Sequence, residues 1–181
     1  RGQPEAALDY WVAYLDMAAD AEARDKAWRL AFQLFDYNRG IQLLGATAAS
    51  RRLSDEELDA LVYAHEQRGT PAMAENWLRG YLQRASSQRL AWTRLVQNLQ
   101  NRQLLQREAD TWPQFAGRHQ LTIAERMSWA EVLWNLYQPE QAWQVLDVAP
   151  LDQLSPDYWR LRAALAWELE RDDAVLASYE A

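Results

Sequence analysis

The sequence predicts an all-α chain of helix–turn–helix units in tandem, about eleven helices joined by short turns. Three observations predict it. The stretch Gly69-Thr-Pro-Ala-Met-Ala-Glu-Asn-Trp-Leu-Arg-Gly-Tyr-Leu82 has a counterpart 67 residues earlier, Gly2-Gln-Pro-Glu-Ala-Ala-Leu-Asp-Tyr-Trp-Val-Ala-Tyr-Leu15, and a weaker one 68 residues later at Gln138–Trp143. Glycine and proline are scarce, at six each, and alternating runs rich in Val, Ile and Thr are absent. Apolar residues instead recur three and four apart, the period of a helix with one buried face.

The first helix spans Gln3 to Met17. Trp28, Ala31, Phe32 and Phe35 form the face of the next, which breaks near Tyr37–Gly40, and a shorter helix follows from Ile41 to Ser50. Ser54-Asp-Glu-Glu57 is a capping box that starts a helix through Leu58, Leu61, Val62 and His65, ended by Gly69. Thr70 as N-cap and Pro71 as first helical residue start the next. Trp92, Leu95, Val96 and Leu99 mark another, broken near Asn101-Arg102. The segment from Leu104 to Phe115 carries Pro113, which should kink or shorten it. Thr122-Ile-Ala-Glu125 is a second capping box, ahead of Trp129, Ala130, Leu133 and Leu136. Pro139 starts a segment that Val148-Ala149-Pro150 ends. Ser155-Pro156 starts the last long helix and Asp172-Asp173-Ala174 the final one.

Half of the 67–68-residue offset is about 34, the length of a two-helix repeat. Trp28, Trp92 and Trp159 read as recurring starts of first helices. Leu58-x-x-Leu61-Val62-x-x-His65 with Ala74, Leu78 and Tyr81 resembles the tetratricopeptide pattern. Trp92-x-x-Leu95-Val96-x-x-Leu99 fits its first half, and Trp129-Ala130-x-x-Leu133 with Ala142 and Leu146 fits more loosely. The resemblance implies repeats stacked in a right-handed superhelical solenoid, one array over 1–181. Its units are 1–20 (the second helix of a truncated repeat), 21–53, 54–86, 87–121, 122–154 and a truncated 155–181. Gly40 and Gly45 leave the register over 21–50 open. No polar cap stands at either end, and the chain reads as a piece of a longer array.

Composition narrows function by exclusion. The net charge is −7, distributed as −5 over residues 1–75, +5 over 76–120 and −7 over 121–181. An acidic chain with Lys26 as its only lysine does not fit nucleic-acid binding. No run is long enough to span a membrane. Cysteine is absent, and His65 and His119 stand apart; His65-Glu66 lacks the second histidine of a zinc-protease motif because Gly69 occupies that place. His65 reads as a packing residue and His119 as solvated. Phosphate-binding and nucleophile-elbow motifs are missing, so the sequence points to no enzyme, no cofactor and no metal.

What remains is a surface. The tetratricopeptide resemblance places first-helix residues between the core positions on a concave groove: Asp59, Tyr63 and Glu66; Thr93, Gln97 and Gln100; Met127, Glu131 and Trp134; Arg160 and Trp167. The carboxylate-holding clamp of chaperone cofactors is not visible there. Acids, amides and aromatics together suit an extended peptide or a sugar chain, although Trp134 and Trp167 could equally pack inside. Arg79, Arg84, Arg89, Arg94, Arg102 and Arg107 form a candidate basic patch for an acidic protein. Ten tryptophans and the arginine-over-lysine bias, with the wording of Gly2–Leu15 and Ala72–Arg84, resemble the periplasmic repeat region of the PelB family, outer-membrane exporters of the Pel exopolysaccharide. That resemblance implies a periplasmic scaffold for a polysaccharide deacetylase or hydrolase near the exit pore, with a cationic amino-sugar polymer as a second candidate ligand. An adaptor unrelated to secretion is the remaining alternative.

Overall fold

The structure, a computed structural model, describes residues 2–147 and 155–179, so the predicted stop at 148–150 lies outside the described residues. Among the described residues there are eleven α-helices and no strand, as the sequence predicts. One set supplies the first helix of each pair: α2 (Ala21–Gln33), α4 (Asp55–Gln67), α6 (Arg89–Asn101), α8 (Ile123–Asn135) and α10 (Pro156–Glu168). The other set alternates with it: α1 (Gln3–Met17), α3 (Tyr37–Ser50), α5 (Pro71–Leu82), α7 (Leu105–Ala116), α9 (Pro139–Leu146) and α11 (Asp172–Tyr179).

The repeat is written most sharply in the turn between the two helices. Among the described residues, positive φ occurs at Phe35, Gly69, Gln103, Tyr137 and Glu170, which lie 34, 34, 34 and 33 residues apart. Each follows a first helix and makes the same pair of bonds. Its own N–H reaches the carbonyl three residues back, and the next N–H reaches five back: Asp36 N to Ala31 O (2.8 Å), Thr70 N to His65 O (2.9 Å), Leu104 N to Leu99 O (3.0 Å), Gln138 N to Leu133 O (3.0 Å) and Arg171 N to Ala166 O (2.9 Å). This pairing satisfies carbonyls that a helix end leaves open. Only Gly69 adopts the left-handed conformation without a side-chain penalty. Tyr137 is 91% exposed, so its ring contributes little packing in return. Tyr137→Gly is therefore expected to raise stability by about 0.5–1 kcal/mol, the relieved strain less the extra freedom of glycine in the unfolded chain. A urea-unfolding midpoint that moves up with an unchanged slope would record it.

This turn corrects the reading of 21–50. The break is at Phe35, not at Tyr37–Gly40, and α3 begins four residues before the predicted Ile41. Asp36 caps it, its carboxylate accepting from Arg39 N at 3.1 Å. Gly40 lies inside the helix, where a Cβ would stand 2.6 Å from Phe32 Cε2. It holds the place, four residues after the turn's last residue, that Ala74 and Ala142 hold elsewhere, and both alanines are wholly buried. Trp28 is corrected as well: it is the eighth residue of α2, whereas Trp92 and Trp159 are the fourth residues of α6 and α10.

Most helix starts follow the sequence. Ser54 and Thr122 close both capping boxes, with Glu57 and Glu125 accepting from the Ser54 and Thr122 N–H at 2.8 and 2.7 Å. Asp20 accepts from Ala23 N at 3.0 Å and Ser155 from Tyr158 N at 3.3 Å. Thr70 departs from its predicted role: its hydroxyl caps nothing and donates back to His65 O at 3.0 Å. Pro113 does not end α7, which continues to Ala116; the missing N–H falls on the exposed side of the helix.

Contacts divide the chain into two compact units, Arg1–Asn98 and Leu99–Ala181. In the first, α1 to α5 pack each against the next, around Leu44, Leu58, Leu61 and Leu78, all at 0% exposure. In the second, α7 to α11 do the same, around Trp112, Phe115, Leu146 and Tyr158. A single hairpin could not bury faces this wide, so each helix is stabilised by its neighbours in sequence.

Candidate functional site

In the first unit the sequence-predicted Asp59, Tyr63 and Glu66 come together. They line an open recess of about 410 Å³ with Trp28, Phe32, Glu56 and Arg94. Helix spacing explains this, because positions three and four apart share one face of α4. The aromatic wall is continuous: Trp28 meets Phe32 edge-on at 5.7 Å, Phe32 meets Tyr37 at 5.7 Å, and Tyr37 meets Tyr63 at 6.0 Å. Two arginines hold the acids. Arg94 Nε donates to Asp59 Oδ1 at 2.6 Å and its Nη1 to Gln97 Oε1 at 2.8 Å. Arg29 grips Glu56 with both terminal nitrogens, one of them at 2.8 Å. Arg94 thus sits among the groove acids.

The second unit has a larger recess, about 980 Å³, lined by Trp134, Arg160, Ala163, Ala164, Trp167, Glu168, Glu170, Asp172 and Val175. Trp134 and Trp167 occupy corresponding places in α8 and α10. The Trp134 indole N–H donates to the Glu168 carboxylate, which fixes both groups on the wall. Trp167 is 75% exposed, so the reading that buries it does not hold. Sequence reasoning missed Glu168, Glu170 and Asp172 here, and Trp28, Phe32 and Glu56 in the first unit. Phe32 was findable: counted from Asp20, it is the counterpart of Glu66, Trp134 and Trp167.

The other candidates divide. Gln97 and Glu131 are exposed on their first helices. Gln100 is exposed as well, and its amide donates to Glu108 Oε1 at 2.8 Å. Of the arginines, Arg79 donates to the buried Glu75 at 3.0 Å. Arg84 and Arg107 are exposed, while Arg89 and Arg102 are half-buried. His65 is buried as predicted, with Nδ1 3.2 Å from Thr70 Oγ1, and burial, with Arg68 nearby, lowers its pKa. His119 corrects its reading as solvated: it is half-buried and packs edge-on against Phe115 at 5.6 Å.

Glu108 is the least expected group. It occupies in α7 the place of Gly40, Ala74 and Ala142, and is only 3% exposed. Its Oε1 accepts from Gln100 and, at 3.2 Å, from the Trp112 indole N–H. Burial raises its pKa, Glu131 adds to the rise, and the two hydrogen bonds oppose it. A raised carboxyl pKa means that the folded state holds the proton more tightly. Its contribution is therefore full below the ordinary glutamate value of 4.5 and is lost as pH rises through the folded value. Glu108→Gln keeps an acceptor for both donors without the charge. It is expected to raise stability at pH 8 by about 1 kcal/mol and to flatten the decline with rising pH, read from urea midpoints across the pH range.

Among the described residues, no group of three or more His, Cys, Asp or Glu is placed to hold a metal, and no helix is long and apolar enough to cross a membrane. The family profile described as tetratricopeptide repeat matches residues 114–181. The chain superposes on the MamA protein of AMB-1 with a TM-score of 0.63, at 17% identity over 87% of this chain and 86% of that one. A MamA double mutant from RS-1 gives 0.63 at 11% identity, over 91% and 93%. The fold is of tetratricopeptide type. YrrB, described as a tetratricopeptide protein with an unusual peptide-binding site, gives 0.52 at 13% identity over 94% of this chain and 84% of that one. No curated protein sequence matches.

Proposed function

We propose that this tetratricopeptide-type chain is a non-catalytic scaffold that docks a second protein on its first-helix faces. The observation that carries this is the exposed aromatic side chains at groove positions, Trp167 at 75% and Tyr63 at 47%, each beside carboxylates in a recess. Exposed aromatics in recesses are where binding energy concentrates in protein interfaces. The peptide-binding site described for YrrB supports a peptide-like ligand. The resemblance of Gly2–Leu15 and Ala72–Arg84 to the Pel exporters supports a finer reading: a periplasmic segment of an outer-membrane exopolysaccharide exporter. There the partner is a polysaccharide deacetylase or hydrolase held near the pore.

The test is capture from a periplasmic extract on the immobilised chain, washed at low and then high salt. One stoichiometric partner, retained less by Tyr63→Ala or Trp167→Ala, is the expected result. Its release at high salt would assign the contact to the charged rims. If the wild-type chain retains no protein, the scaffold reading falls. The second reading, a groove for a cationic amino-sugar polymer, is favoured by the indole–carboxylate pairing of Trp134 with Glu168. It predicts binding of glucosamine oligomers, lost in Trp134→Ala or Glu131→Ala.

A further inference from the structure

We propose that the recess around Trp167 seats an arginine side chain from an extended segment of the partner protein. The guanidinium would stack on the indole and be held by the carboxylates of Glu168, Glu170 and Asp172. The proposal rests on the scaffold reading and names the chemistry of the partner.

The chain supplies the pattern itself. Arg29 lies over Trp28, 4.4 Å from the ring centre, while Asp25 and Glu56 accept its N–H groups. Arg162 lies 4.7 Å over Trp143, with Asp147 at 3.8 Å from its Nη2. At Trp28 an indole face and two carboxylates enclose one guanidinium, the arrangement in which arginine gains both stacking and directed hydrogen bonds. At Trp143 the indole carries Arg162 and, at 4.8 Å, Arg171, with Asp147 as a nearby counter-charge. At Trp167 the indole and the carboxylates are present, and no cation or ring pairs with that indole among the described residues. The recess also carries the charge to match. Glu168, Glu170 and Asp172 face one arginine, Arg160, whose Nη1 is already engaged by Asp157 at 2.9 Å.

Glu170 stands in the lining of the recess, on the left-handed turn position that Phe35, Gln103 and Tyr137 hold in the other turns. Carboxylates at 168, 170 and 172, on and beside one turn, offer several acceptors to the five donors of a guanidinium fork. An ammonium presents a compact point charge with no planar face, so lysine fits this set less well.

The experiment follows the indole N–H signals of the intact protein by nuclear magnetic resonance. Trp167→Phe identifies the Trp167 signal by its disappearance. The probes are a capped Gly-Arg-Gly-Arg-Gly peptide, its citrulline counterpart and a glucosamine oligomer. The arginine peptide is expected to shift the Trp167 signal, and the uncharged citrulline peptide is not. Glu170→Gln is expected to weaken the arginine peptide by about tenfold. Trp167→Ala should abolish binding, followed at the Trp134 signal, and Trp167→Phe should retain most of it. Equal shifts by the citrulline peptide, or a response to the glucosamine oligomer alone, would overturn the proposal. Partner capture separates the two readings. A partner retained equally by wild type and Trp167→Ala overturns the recess assignment and leaves the scaffold standing. A chain that binds the arginine peptide but captures no protein overturns the scaffold and keeps the recess.

Discussion

Trp112→Ala is expected to cost about 3–5 kcal/mol, enough to unfold the second unit or bring it to the edge of unfolding. Trp112 is 2% exposed, and its ring is stacked with Phe115 at 5.8 Å and with Trp129 at 6.5 Å. Truncation opens a cavity in the contact between α7 and α8, whose walls are set by helix backbones and can collapse only partly. It also strips Glu108 Oε1 of one of its two donors in a buried place. Because neighbours stabilise one another in a repeat fold, the loss spreads along the unit. Urea unfolding followed by circular dichroism should show that part of the helical signal melting early. Trp112→Phe, which keeps one aromatic ring and leaves a smaller cavity, should cost less.

The second large effect is expected at Gln88, with a loss of about 2–4 kcal/mol on substitution by alanine. This side chain is 1% exposed and spends every hydrogen-bonding atom. Its Nε2 donates to Leu53 O at 3.2 Å and to Asp55 Oδ1 at 2.8 Å, and its Oε1 accepts from Tyr81 Oη at 2.7 Å and Arg52 Nε at 3.2 Å. Tyr81 Oη in turn accepts from Leu53 N at 2.9 Å. One amide thereby ties the turn before α4, the end of α5 and the start of α6. Removing it leaves the Leu53 carbonyl without this donor and the Tyr81 O–H without its acceptor, both in a buried place. Gln88→Glu is no remedy, because it replaces the donating amide with a charge that repels Asp55. In a double-mutant cycle Gln88→Ala and Tyr81→Phe are expected to couple by about 1–2 kcal/mol.

These two residues also show where the sequence was legible. Helix identity, number and most starts could be read because capping and periodicity are local: Ser54 with Glu57 and Thr122 with Glu125 announce helices within four residues. Residue type alone does not place a tryptophan in the core, since Trp112 is 2% exposed and Trp167 75%. Gln88 is less legible still. It precedes α6 as Asp20, Ser54, Thr122 and Ser155 precede their helices, but its side chain is too long to cap its own helix and reaches across to Leu53, 35 residues away. No local pattern encodes that reach. The same limit hid the turn at Phe35, since the rule that glycine marks the left-handed position fails for Phe35, Gln103, Tyr137 and Glu170. Gly40 then drew attention to the wrong place, because its small size serves contact with Phe32 and not the turn.

The candidate site was legible in outline. Helical spacing brought Asp59, Tyr63 and Glu66 onto one recess, and it put Trp134 and Trp167 on the other. Partners set by three-dimensional packing were missed. Arg94, read as part of a basic patch, is bound to Asp59. Gln100, read as a groove residue and exposed on its helix, also donates to the buried Glu108. Glu108 itself stands where a small residue is expected, so its burial is a property of the repeat and not of its own sequence neighbourhood.

Docking of a protein partner on the first-helix faces can be read by amide hydrogen exchange of the chain, alone and with the captured partner. Exchange is expected to slow in α4 or α10, around Tyr63 or Trp167, with little change in the second helices. Protection confined to α3, α5, α7 or α9, or none at all beside a stoichiometric partner, would contradict it.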